Sequence, residues 1–185
     1  KAVSLNSNGL PAKTCLRNVE RMAKLFKKHK VLFSVSISLH RIGPGFDAIA
    51  GIPDAYHKVK ESLDGLRAMQ RDSDFYLSVN CVMTAMNARN LPEMLEWSER
   101  EKIPVNFTLG EVRDRFCNAE MAEDIKVQEE EKTAIVEFLR RLGRKKRLYL
   151  QHSFRYVHLA DMVERGTKRK LACHYALGGI ILGSD

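Results

Sequence analysis

The sequence predicts an α/β fold, a partial (βα) barrel with parallel strands, and two observations predict it. Strand-like runs with apolar residues at alternate positions are each followed by a run of helical period, which implies parallel strands joined by crossover helices. The other face of each of these strands carries small polar residues. An open parallel sheet covered on both sides reads as a continuous apolar run, so one face of this sheet must meet something polar. A curved sheet resolves this, because helices cover its outside while the inside can surround a ligand. Serine, asparagine and threonine in place of bulky branched side chains leave room there and offer hydrogen bonds, so the interior reads as a binding cavity.

In the opening strand Val3 and Leu5 oppose Ser4, Asn6 and Asn8. Asn8-Gly9 is a turn signal, and a helix follows from about Thr14 to Lys28 with Leu16, Val19, Met22, Ala23 and Phe26 on one face. From Val31 to His40 the apolar set is Val31, Phe33, Val35, Ile37 and Leu39, against Ser34, Ser36, Ser38 and His40. The Gly-rich connection Arg41 to Phe46 is expected to turn over the strand's C-terminal end. Gly43-Pro44-Gly45 is only a weak phosphate-loop signal, without GK[ST] or GxGxxG spacing. Pro53-Asp54 opens a helix to about Gln70. A third strand sets Phe75, Leu77, Val79, Cys81 and Met83 against Ser78 and Asn80. Asn90 to Glu93 approximates a capping box for a helix through Arg100, in which Trp97 reads as packing. The fourth strand, Ile103 to Leu109, opposes Asn106 and Thr108 to its apolar set and runs into a polar segment through Asn118, where barrel active-site loops lie. An acidic stretch from Glu120 leads to a helix ending near Leu142, with Gly143 as its stop. Leu148 to Gln151 reads as a fifth strand, with Tyr149 and Gln151 inward, and a short helix continues to Arg165.

The chain has 185 residues, 44% hydrophobic, enough for a substantial core but short of the roughly 250 residues of a complete eight-stranded barrel. It opens inside a strand without an initiator Met and ends on what reads as half a turn, so both ends are expected to be cut. With no apolar leader and no bilayer-length apolar run, the expected setting is cytoplasmic and no membrane partner is expected. The net charge of +8 gathers at 140–147 and 165–170. The first cluster closes a helix that opens on Glu129-Glu130-Glu131, which complements the helix dipole at both ends. With no interleaved aromatics, that placement argues against a nucleic-acid surface. The four cysteines, Cys15, Cys81, Cys117 and Cys173, are too dispersed for a CxxC pair.

The ordered series Asn6-Ser7-Asn8-Gly9, Ser34 to His40, Pro53 to Val59, and Leu77 to Met83 with Asn87 resembles the middle of a radical SAM domain, over about Lys1 to Leu109. The resemblance implies a (βα)6-type partial barrel holding S-adenosylmethionine and a 4Fe-4S cluster on a CxxxCxxC loop. Such enzymes generate a 5′-deoxyadenosyl radical that abstracts hydrogen from a substrate. It places Asn8 and Gly9 at a strand end beside the cofactor, Ser38 against its ribose or amino acid portion and Asn80 on the opposite wall. With the polar phase of the strands, the candidate cofactor-binding residues are Asn8, Gly9, Ser36, Ser38, His40 and Asn80. The CxxxCxxC motif is absent and would precede Lys1, so the segment alone is expected to be inactive. His40 replaces the family's usual Asp, and Ala50-Gly51 stands where many relatives have Arg before the glycine, which makes Arg41 a candidate substitute.

Cys173 and the residues after it resemble the first cysteine and hairpin of a SPASM or twitch extension, implying that Cys173 is a ligand to an auxiliary iron–sulfur cluster. The expected organisation is a partial barrel over 1–165 and the start of an extension over 166–185. Expected partners are a peptide or small-metabolite substrate and an electron donor. The alternative reading is a non-catalytic barrel-like protein that uses the same polar lumen to bind a small ligand.

Overall fold

The computed structural model describes residues 1–112, 120, 122–145 and 150–167. The chain divides into two units, Lys1–Glu131 and Lys132–Asp185. Among its described residues unit 1 holds four strands: β1 (Ala2–Ser7), β2 (Leu32–Ser38), β3 (Tyr76–Met83) and β4 (Val105–Leu109). All pair in parallel, and their order in the sheet is their order in sequence. Right-handed crossovers that always step in one direction put every connecting helix on the same side of the sheet. The other side is left to face a lumen, which is the partial (βα) barrel that the alternation predicts.

The helices of unit 1 are α1 (Ala12–Lys28), α2 (Pro44–Ala50), α3 (Ala55–Met69), α4 (Leu91–Glu101) and α5 (Ala122–Ile125), with a 3-10 turn at Ala88–Asn90. They cover the apolar face of the central strands, while Val3 and Leu5 of β1 and Val105 and Leu109 of β4 stay half-buried. Val35, Ile37, Leu39, Val79, Cys81, Met83 and Phe107 have no solvent exposure, and α4 contributes Leu91, Met94 and Trp97 to the same layer. Trp97 is therefore packing. α1 ends on Lys27 and Lys28, where cations meet the negative end of the helix dipole. Lys102, in the left-handed conformation, closes α4.

Several boundaries differ from the sequence reading, each for a local reason. The Arg41 to Phe46 connection is not loop throughout: Pro44 starts the short helix α2, its fixed φ suiting a first helical position. β4 begins at Val105 rather than Ile103, because Pro104 has no N–H to donate and Ile103 folds back, its N–H on the Ser98 carbonyl at 3.2 Å and its carbonyl accepting from Ser98 Oγ at 2.7 Å. The capping box before α4 is not formed. Asn90 caps no backbone N–H and its amide instead donates to the Glu93 carboxylate at 3.5 Å.

In unit 2, α6 (Glu129–Lys145), which begins at the end of unit 1, and α7 (Leu150–Arg165) are joined by an ion pair between Arg140 and Glu164 at 2.7 Å. Ile135, Phe138, Leu139, Leu142, Tyr156 and Ala160 are buried. The helix from Glu120 is broken at Lys126–Gln128, and α6 runs through Gly143 to Lys145 rather than stopping there. The expected fifth strand is corrected as well: Leu150 and Gln151 are the first residues of α7, while 148–149 lie outside the described residues. Four alternating residues without a flanking turn signal cannot outweigh a sixteen-residue helical run that absorbs them. No helix among the described residues is long and apolar enough to cross a membrane.

Candidate functional site

The parallel register turns the polar alternation into rows that cross the sheet. Asn6 pairs with Ser36 and Ser36 with Ser78. One step toward the strands' C-terminal ends, Ser38 pairs with Asn80 and Asn80 with Asn106. Adjacent strands lie about 4.8 Å apart, so each row offers three polar side chains across roughly 10 Å of sheet. Asn6 is exposed, Ser38, Asn80 and Asn106 are half-buried, and Ser36 and Ser78 are buried though not beneath the helices, being on the opposite face from the apolar core. None of these six makes a side-chain hydrogen bond within the protein among the described residues. A folded protein ordinarily satisfies such groups with protein, water or ligand partners, so this surface is equipped for a polar ligand.

The end of β1 frames the site. Asn8 is exposed, and its Oδ1 accepts the Leu10 N–H at 2.9 Å in a tight turn. Gly9 is buried with φ of +75°, and its carbonyl accepts from Ser62 Oγ of α3 at 2.5 Å. A Cβ there would lie 3.2 Å from Ile37 Cγ2. Gly9 thus shapes the strand end through its backbone, with no side chain to offer.

His40 is not a solvated loop residue. Its Nδ1 accepts the Val82 N–H at 3.2 Å, so the neutral ring carries its proton on Nε2. The ring also meets Phe46 edge to face with centroids 6.3 Å apart. Burial lowers its pKa from the ordinary 6.5. Because the unfolded chain takes up that proton near pH 6.5 and the folded one resists it, the His40 contribution to stability is present above about 6.5 and lost as pH falls through the folded value. The thermal unfolding midpoint should therefore drop more steeply between about pH 7 and 5 in the wild type than in His40→Asn, whose Oδ1 offers a non-titrating acceptor near the Nδ1 position. Equal slopes in the two proteins would show that His40 is not protonated against this hydrogen bond.

Asn87, 1% exposed, is the buried polar group of the site that sequence reasoning noted but did not assign. Its Oδ1 accepts the Thr84 N–H at 2.9 Å, and its Nδ2 donates to the carbonyls of Val82 and His40, both at 2.8 Å. The signal in the sequence was slight, a lone asparagine just beyond a strand. Beside it, burial pushes the Cys81 thiol up to about 12, so it stays protonated and inert. Burial also raises Cys15, which hydrogen-bonds Ser7. Arg41 lies over the first turn of α2, where a Cβ at Gly45 would run into its Nε and, at 2.5 Å, its Cδ. The structure brings Gly9, Ser36, Ser38, His40 and Asn80 to one sheet and its C-terminal rim. Cys173 and 113–119, the core of the expected active-site loop, lie outside the described residues.

No family model matches the sequence, and no curated protein sequence matches it. Consecutive parallel strands with a polar inner face give the chain the α/β fold of a partial (βα) barrel, which it shares with a solved structure. One solved structure to which it is similar is native anSMEcpe with bound AdoMet and Kp18Cys peptide, at a TM-score of 0.51 and 15% identity, over 88% of this chain and 43% of that one. The chain therefore spans less than half the length of that protein.

Proposed function

We propose that the chain is a segment of a radical S-adenosylmethionine enzyme and that the inner face of its sheet holds S-adenosylmethionine. The observation that carries this reading is the pair of polar rows, Asn6-Ser36-Ser78 and Ser38-Asn80-Asn106, whose side chains have no protein partner among the described residues. The ammonium, carboxylate, ribose hydroxyls and adenine of the cofactor need such partners on a surface lined otherwise by backbone. Ser38 and Asn80 are the central contacts, Ser36 lies one row deeper, and Asn8 with Gly9 bounds the site at the end of β1. When bound at its 4Fe-4S cluster, this cofactor supplies a 5′-deoxyadenosyl radical for hydrogen abstraction.

The described residues fit the organic cofactor and not the cluster. No three His, Cys, Asp or Glu side chains converge among them, so the cluster's ligands would come from other residues of the full protein, which would also need an electron donor. Cys173 remains the proposed ligand for an auxiliary cluster. The peptide bound by the structurally similar protein supports a peptide as the substrate class, with a small metabolite as the other option.

In the full-length protein, reconstituted anaerobically with iron and sulfide, Ser38→Ala and Asn80→Ala should each weaken S-adenosylmethionine binding about fivefold by titration calorimetry, the equivalent of one hydrogen bond at about 1 kcal/mol. Wild-type affinity in both variants would remove the sheet face from the site.

A further inference from the structure

The C-terminal ends of β2 and β3 are held apart by a side chain that imitates a strand residue. The β2–β3 ladder runs regularly up to the Leu39 N–H, which donates to the Asn80 carbonyl at 3.1 Å. In a parallel ladder the Val82 N–H would next donate to the Leu39 carbonyl, and Arg41 would then donate its N–H to Val82 and accept from Thr84. None of these three bonds forms. Val82 N–H goes to His40 Nδ1, while the Val82 carbonyl and the Thr84 N–H both go to the carboxamide of Asn87. A primary amide has the donor and acceptor of a peptide group, and that of Asn87 occupies the rung where the Arg41 peptide would sit. Its second N–H ties down the His40 carbonyl. β2 can therefore leave the sheet after Ser38 without stranding the part-buried backbone groups of Val82 and Thr84, and turn through Gly43, at φ of +58°, into α2.

Resting on the proposed cofactor site, we infer that Asn87 is a positioning residue. By standing in for the next rung of β2 it keeps the strand ends open immediately beyond Ser38 and Asn80, the last paired rung, and so fixes the edge at which those two side chains meet the cofactor. Asn87 touches no cofactor itself and acts through the two residues that do. Asn87→Asp keeps the acceptor for Thr84 but loses both donors and sets a carboxylate oxygen against the Val82 and His40 carbonyls, so the strand ends must shift.

The test is a double-mutant cycle in the full-length reconstituted protein, read as S-adenosylmethionine affinity by calorimetry. Asn87→Asp should weaken binding tenfold or more, and adding Ser38→Ala or Asn80→Ala to it should cause little further loss, because misplaced side chains have no hydrogen bond left to lose. A merely structural asparagine would leave the full fivefold effect of Ser38→Ala intact in the Asn87→Asp background, and that additivity, or wild-type affinity in Asn87→Asp, overturns the inference. The cofactor reading fails separately, and takes the inference with it, if Ser38→Ala and Asn80→Ala are silent in the protein with Asn87 intact. Should Asn87→Asp not fold, Asn87→Gln carries the same comparison, since it keeps the amide but displaces it by one methylene.

Discussion

Trp97→Ala should cost about 3–5 kcal/mol of stability, the largest loss expected from any one truncation in unit 1. The indole sits on α4 with no solvent exposure, beside equally buried Leu91 and Met94, in the layer that covers the apolar face of the sheet. Removing it leaves a cavity that a helix anchored at both ends cannot collapse. Domains of this kind have only about 5–15 kcal/mol in hand, so the variant should be partly unfolded at moderate temperature. Trp97→Phe should behave differently. The indole Nε1 is buried without a hydrogen-bond partner, so the phenyl ring forfeits volume but also relieves an unsatisfied donor, and its cost should be nearer 1 kcal/mol. Urea unfolding followed by far-UV circular dichroism measures both, because Trp97 is the chain's single tryptophan and fluorescence disappears with it. A loss below about 1 kcal/mol in Trp97→Ala would mean that α4 does not seal the sheet.

Gly9→Val should cost about 3 kcal/mol and damage the site as well. The backbone there has φ of +75°, a conformation worth about 1–2 kcal/mol to glycine over other residues and more over a β-branched one. The new Cβ would lie 3.2 Å from Ile37 Cγ2, and Ile37 is fully buried and has no free space to yield. Relief requires moving the end of β1, which pulls the Gly9 carbonyl from Ser62 and displaces Asn8 at the rim of the polar face. Gly9→Ala should show the same direction with a smaller loss, so thermal unfolding of the pair separates backbone strain from the clash. Unchanged midpoints in both would show that the turn does not need glycine.

Much of this architecture was legible in advance because a β-strand exposes its two faces at alternate residues, and the two faces here meet opposite environments. The buried set from Val35 to Leu39 and from Leu77 to Met83 follows directly from that period, as do the exposed or half-exposed polar positions Ser38, Asn80 and Asn106. The supposed strand at Leu148 to Gln151 failed for the converse reason. A short alternating run carries no information about whether a longer helical period will absorb its residues, as α7 does with Leu150 and Gln151.

By itself the sequence determined the order of the four strands and of the long helices α1, α3 and α4, the side of each strand that would be buried and the residues that would line the other side, since all of these depend on local period and polarity. Only the tertiary structure decided what those residues do together. Register, set by pairing across the sheet, aligned Ser38, Asn80 and Asn106 into one row. Long-range contact also assigned the remaining roles: His40 gave its Nδ1 to a backbone N–H 42 residues away, and Asn87, a single polar residue after a strand, became the amide that replaces a rung of the sheet. Such partnerships join residues far apart in the chain, and no local pattern records them.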